Sequence, residues 1–219
     1  MRTHSRMRQI VEIFVVFVGI ISVNSVFGQD ETVDRILALV NGQLITLTDV
    51  RIAQDFGLYE RGPDYRADVT IEIVLERLID QKLVIQVTSD NASVDREEMD
   101  SYLTRISGEM GNDKFRENLD KFGMKRNDLE PYVRERILFN RILSSRFDRA
   151  VLVTLEEIQD YYETRYLPDQ SDKGVEPQAM LDILDDIEAI LREEKSEAQV
   201  EEWIQNLREK ADIQVNLNP

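Results

Sequence analysis

The 219-residue sequence has no cysteine and a single histidine, His4. Disulfides, thiolate metal sites and cysteine nucleophiles are therefore excluded, and a chain that loses its first residues also loses histidine as a base or ligand. Basic charge is scarce as well: 27 Lys and Arg stand against 43 Asp and Glu, a formal net charge of −16. Such a chain repels phosphate backbones and anionic lipid, and its basic residues form no stripe that would overcome the repulsion. Nucleic acid is not expected as a partner. Adjacent carboxylates such as Asp185 with Asp186, Glu193 with Glu194 and Glu201 with Glu202 point to different parts of a helix face and read as solvated surface, so no metal and no cofactor is expected. A Ser/Lys pair stays open as chemistry, but no serine follows a strand in a Gly-rich turn. What remains, 42% hydrophobic and 32% charged, is the composition of a folded acidic protein.

Long apolar runs are lacking too, with one exception. Ile13 to Val23 (IFVVFVGIISV) is uncharged, follows Arg2, Arg6 and Arg8, and is too short to span a bilayer comfortably. It leads to Val26-Phe27-Gly28, with small or β-branched residues at the positions that a secretory cleavage site requires. Residues 1–28 are expected to be a cleaved signal peptide, the other reading being a retained membrane anchor interrupted by Glu12. Lipidation is excluded because no cysteine follows the run. Cleavage would leave 191 residues with 42 acidic and 24 basic side chains and no His or Cys.

The rest reads as mainly α. Arg35 to Val40 and Gln43 to Leu47 flank Asn41-Gly42 and predict a β-hairpin. Thr48 is the expected N-cap of a short helix to about Phe56. From Asp68 to Val87 apolar residues cover nearly every side; a strand is conceivable, but the length and the charged pairs inside favour a helix wrapped by others. Asp95 with Glu98 suggests a capping box for the next helix, with Gly108 and Gly111 as stops. Asn112 caps a short helix ended by Gly123, and Asn127 or Asp128 opens a long one through Phe147. Val151 to Val153 is extended, and Thr154 with Glu157 caps a helix through Tyr162. Residues 167–178 (LPDQSDKGVEPQ) read as a linker. Two amphipathic helices are expected beyond it, the second capped by Ser196 and bearing Trp203, with a short strand from Ile213 to Leu217 that needs an edge to pair with.

The order of a secretory signal, RILALVNGQLITLTDV and ERLIDQKLVIQ resembles the N-terminal domain of SurA-type periplasmic chaperones. The later VLVTLEEI and the closing ILDDIEAILREEKSEAQVEEWIQNLREKADIQV are similar to the same family, in which a tryptophan-bearing helix precedes a last strand. The resemblance implies a multi-helix core at residues 29–166, a small hairpin, and C-terminal helices and strand at 179–219 that return to complete it. In the family, parvulin-type prolyl isomerase domains are inserted between these parts. Here only the stretch 167–178 stands at that point, where a domain needs roughly a hundred residues. No residue is present onto which the paired histidines of a parvulin site can be carried.

The expected function is that of a periplasmic chaperone that binds unfolded or nascent exported and outer-membrane proteins through apolar surface, without catalysis. The other readings are a prolyl isomerase by family membership and an envelope subunit with one fixed partner. Flexible methionines beside aromatics suit a surface that accepts varied sequences. Met99, Tyr102, Met110, Phe115, Phe122 and Met124 are therefore the candidate client-binding residues, with core packing the competing role for each. Trp203 reads as a core anchor.

Overall fold

A two-residue turn sets the geometry at the start of the fold. Asn41 (φ 48°) and Gly42 (φ 84°) both take positive φ, as a turn matched to strand twist requires, and they join β1 (Ile36–Val40) to β2 (Gln43–Thr46). The chain end returns as β3 (Ile213–Val215), antiparallel to the other side of β1, giving the order β2-β1-β3. The turn also holds that end: the Asn41 amide N–H donates to the Asp212 carbonyl at 2.8 Å, and the Asp212 N–H donates to Asn41 Oδ1 at 2.9 Å. This computed structural model describes residues 34–59, 69–87, 93–147 and 151–216, all within the unit Asp34–Pro219. The expected signal peptide or anchor lies outside the described residues.

Strand β2 runs straight into α1 (Leu47–Phe56), so the N-cap is Thr46 and not Thr48. The Thr46 hydroxyl accepts from the Asp49 N–H at 3.2 Å while the Asp49 carboxylate accepts from the Thr46 N–H at 2.9 Å, a complete capping box. The ambiguous apolar stretch is helical, α2 (Ile71–Gln86). It buries Val74, Leu75, Leu78, Ile79, Leu83 and Val84 and is packed by α1, β1, β2 and two later helices, which is why its apolar residues span so many sides. Then come α3 (Arg96–Met110), α4 (Asn112–Lys121) and, after a 3-10 turn at Arg126–Leu129, α5 (Glu130–Phe147). Helix α3 runs through Gly108 and stops only at Gly111, whose φ of 87° a side chain would resist. Asp95 does cap it, accepting from the Glu98 N–H at 2.8 Å. The N-cap of α4 is Gly111, not Asn112, which is already helical.

The Thr154 capping box forms as read and starts α6 (Leu155–Tyr161). The helix then passes through a π segment at Tyr162–Tyr166 into α7 (Leu167–Lys173). Half of the supposed linker is thus helical: the altered hydrogen bonding of the π segment accommodates Pro168, which has no N–H to donate. The second difference is larger. In place of two C-terminal helices there is one, α8 (Leu184–Arg208), and Ser196 is in its interior. The apolar stripe breaks between Leu191 and Val200 because Lys195 takes the inward place there. Its ammonium donates to the Leu152 carbonyl and to Glu157, both at 2.7 Å. Glu, Lys, Ala and Gln, all good helix formers, carry the backbone across the break.

Two clusters result. The main one joins the hairpin, α1 to α5 and the chain end through Leu207 of α8, Ala211 and Ile213 of β3; the smaller is built on Ile158, Ile183 and Ile187. Between them Trp203 is half-buried rather than a core residue. Its ring meets Phe147 at 5.5 Å, with the Arg146 guanidinium 4.7 Å from its centre.

Candidate functional site

The six candidate residues divide by place. Met99 and Phe115 are buried in the main core, 4% and 5% exposed, and the Phe115 ring packs edge-on to Phe56 at 5.5 Å. Packing accounts for both. The other four are half-buried and line two separate clefts. Tyr102 and Met110, about two turns apart on α3, lie along a cleft of about 670 Å³ beside α1 and α4. Phe122 and Met124, which straddle the Gly123 turn, lie along another of about 580 Å³ bounded by β2, α1, α2 and α5. The α4–α5 turn presents both side chains because Gly123 takes φ 64° and reverses the chain after α4.

The first cleft is the more polar. The Arg105 guanidinium lies 4.3 Å over the Tyr102 ring and donates to Glu109 at 3.0 Å, while Lys114 and Asp55 add further charge. Asn118, 3% exposed, is held by donating to the Asp55 carbonyl at 2.9 Å.

The second cleft has apolar walls from Leu44, Ile52, Leu78, Phe122 and Met124. Its charged groups pair with one another: Lys82 with Glu135 at 3.0 Å, and the Tyr132 hydroxyl donating to Asp49 at 3.0 Å. Burial, and then the neighbouring Asp49 carboxylate, push the Tyr132 hydroxyl far above its ordinary pKa, so it remains a donor across the physiological range. Among the polar residues of this cleft one stands apart. Gln81, only 2% exposed, has its Oε1 buried with no hydrogen-bond partner among the described residues. A buried amide left unpaired costs about 1–3 kcal/mol. In the sequence Gln81 stands between Asp80 and Lys82, among the charged residues that favour the helix. The signal available was a neutral amide inside a helix apolar on nearly every side.

A third arrangement fixes the clefts' frame. Arg208, at the end of α8, donates to Asp80 at 2.5 Å and pairs with Glu76 at 2.8 Å, clasping α2. Burial raises the Asp80 pKa even against the lowering by Arg208, so the pair acts more as a positional staple than as a source of stability. Among the described residues no three His, Cys, Asp or Glu side chains gather as a metal site, and no helix is long and apolar enough to cross a membrane.

Fold and clefts together define a helix-rich module whose core is completed by a returning strand. A match to the SurA-like N-terminal domain covers residues 1–143, and the chain belongs to that family. The Chaperone SurA proteins of Legionella pneumophila, from the Philadelphia 1 and Lens strains, are each 24% identical to it over 147 residues, 61% of this chain and 33% of the relative. The chain matches about a third of the length of these curated relatives.

Proposed function

We propose that the protein is a periplasmic holdase that binds unfolded exported or outer-membrane polypeptides through apolar surface and does not isomerise proline bonds. The observation that carries this reading is the lining of the two clefts, in a chain of this family, by four adaptable side chains: Tyr102, Met110, Phe122 and Met124. Methionine and aromatic surfaces adapt to different apolar partners without large rearrangement. The absence of His and Cys after residue 28 supports the reading without isomerase chemistry. Rotation about a prolyl bond faces a barrier of about 18–20 kcal/mol, which a catalyst lowers only by gripping the twisted bond in a shaped pocket.

The test is aggregation of an unfolded outer-membrane protein diluted from denaturant. The purified protein at stoichiometric concentration is expected to delay turbidity and to leave the cis–trans relaxation of a proline peptide unchanged. Isomerase turnover abolished by a point mutation in this chain would replace the holdase with an enzyme. Failure to delay aggregation would favour the fixed-partner reading, for which the exposed Leu152, Leu155 and Leu181 are the supporting observation.

A further inference from the structure

We infer that the cleft bounded by β2, α1, α2 and α5 captures the main chain of an extended polypeptide through the side-chain amide of Gln81, one peptide group at a time and without regard to sequence. The inference rests on the client-binding reading and specifies the chemistry of the contact. Gln81 Oε1 is an acceptor already removed from water, with no partner among the described residues. The ligand must bring a donor to it. The charged groups of the same cleft are matched internally, Lys82 by Glu135, Asp49 by the Tyr132 hydroxyl, and Asp128 by the Lys125 N–H at 2.7 Å. An ammonium or guanidinium from a ligand would therefore have to break one of these pairs, whereas a neutral N–H fits the group that is left over.

A peptide group is the neutral donor that every client carries. It presents an N–H and a C=O together, and a carboxamide presents the complementary acceptor and donors. Two further features fit a strand-like segment. Leu44 and Ile45 of β2, an outer strand of the sheet, line the same cleft, and Leu44 is 51% exposed there. Outer strands carry backbone groups free to pair with an added chain. The walls of Ile52, Leu78, Phe122 and Met124 then receive alternate side chains of that segment, which project to opposite sides every residue. Apolar walls and an amide floor together select extended, uncharged backbone and discriminate little among side chains.

The experiment measures binding of the full chain to a fluorescein-labelled peptide of eight alternating valines and alanines between lysine pairs, and to the same peptide N-methylated along one edge. Gln81→Leu is expected to weaken binding of the unmodified peptide at least fivefold while melting no lower than the wild type, since an apolar isostere relieves the unpaired amide. N-methylation should weaken wild-type binding to a similar degree and have little further effect on the Gln81→Leu protein. Equal loss on N-methylation in both proteins, or unchanged affinity in Gln81→Leu, overturns the inference. If the wild type delays client aggregation while Gln81→Leu does so equally well, the chaperone reading stands and this one falls; if the wild type neither binds peptide nor delays aggregation, both fall. Equal wild-type affinity for the two peptides also overturns the inference, and that outcome does not depend on the variant folding.

Discussion

Residues 34–150 carry 22 acidic and 18 basic side chains, whereas residues 151–219 carry 18 and 6. The first region buries apolar residues from the hairpin, α1 and α2 in one shared core. The second buries, among its described residues, only Ile158, Ile183 and Ile187, and leaves Leu152 and Leu181 about four-fifths exposed. Near-balanced charge lets helices pack closely, but concentrated like charge opposes compaction. The acidic region is therefore held by anchors to the other: the β1–β3 ladder, the Arg208 clasp and the Phe147–Trp203 contact. Helix α8 belongs to both, its first half on the small cluster and its last turns on the main core.

The sharpest way to break this dependence is truncation at Pro168, which removes α8 and β3 together. It should lower the melting temperature by about 10 °C or more and increase binding of a hydrophobic dye, because α2 and β1 each lose a packed neighbour. Melting like the intact chain would mean that the two regions are independent. Next in size, Phe56→Ala should cost about 3–5 kcal/mol in urea titration, since the ring is 2% exposed and packs on Phe115 and Phe122. Ile187→Ala in the small cluster is expected to cost about 2 kcal/mol. It should also release amide protons of α6 to exchange while α2 stays protected, which separates local from global opening.

Arg208→Ala leaves Asp80 buried without its partner and should cost about 2 kcal/mol. Arg208→Ala in an Asp80→Asn background should cost less, as a double-mutant cycle would report. The smallest effect concerns acid. The Lys195 hydrogen bond, followed by the Thr154 N–H, lowers the Glu157 pKa from 4.5 to about 2. A depressed carboxylate stabilises above its unfolded pKa and ceases to do so as pH falls through its folded value. Exchange of the α6 amides, corrected for intrinsic rate, should rise between about pH 4.5 and 2, and Glu157→Gln should remove that dependence.

Much of the fold was legible because its signals are local. Asn41-Gly42 demands positive φ, Thr154 and Glu157 meet across one helical turn, and Asp95 caps the helix that follows it. The misreadings arose where a local signal had two meanings. Ser196 looked like a cap, but Lys195 beside it is drawn inward by Glu157, thirty-eight positions away in sequence, and the helix continues. Pro168 looked like a linker residue and is accommodated within a helix, just after its π segment. For the candidate site, composition picked out the methionines and aromatics but could not divide them. Met99 and Phe115 went to the core, while Tyr102 and Met110 went to one cleft and Phe122 and Met124 to the other.

Hydrophobic periodicity, turn chemistry and capping act within a few residues, so the sequence by itself determined the helical class, the hairpin and the helix starts at Asp95 and Thr154. Pairing of β3 with β1, the clasp of Arg208 on α2 and the unpaired amide of Gln81 depend on groups more than forty residues apart. Burial and hydrogen-bond satisfaction are properties of what surrounds a side chain. They were decided only when the tertiary structure supplied the neighbours.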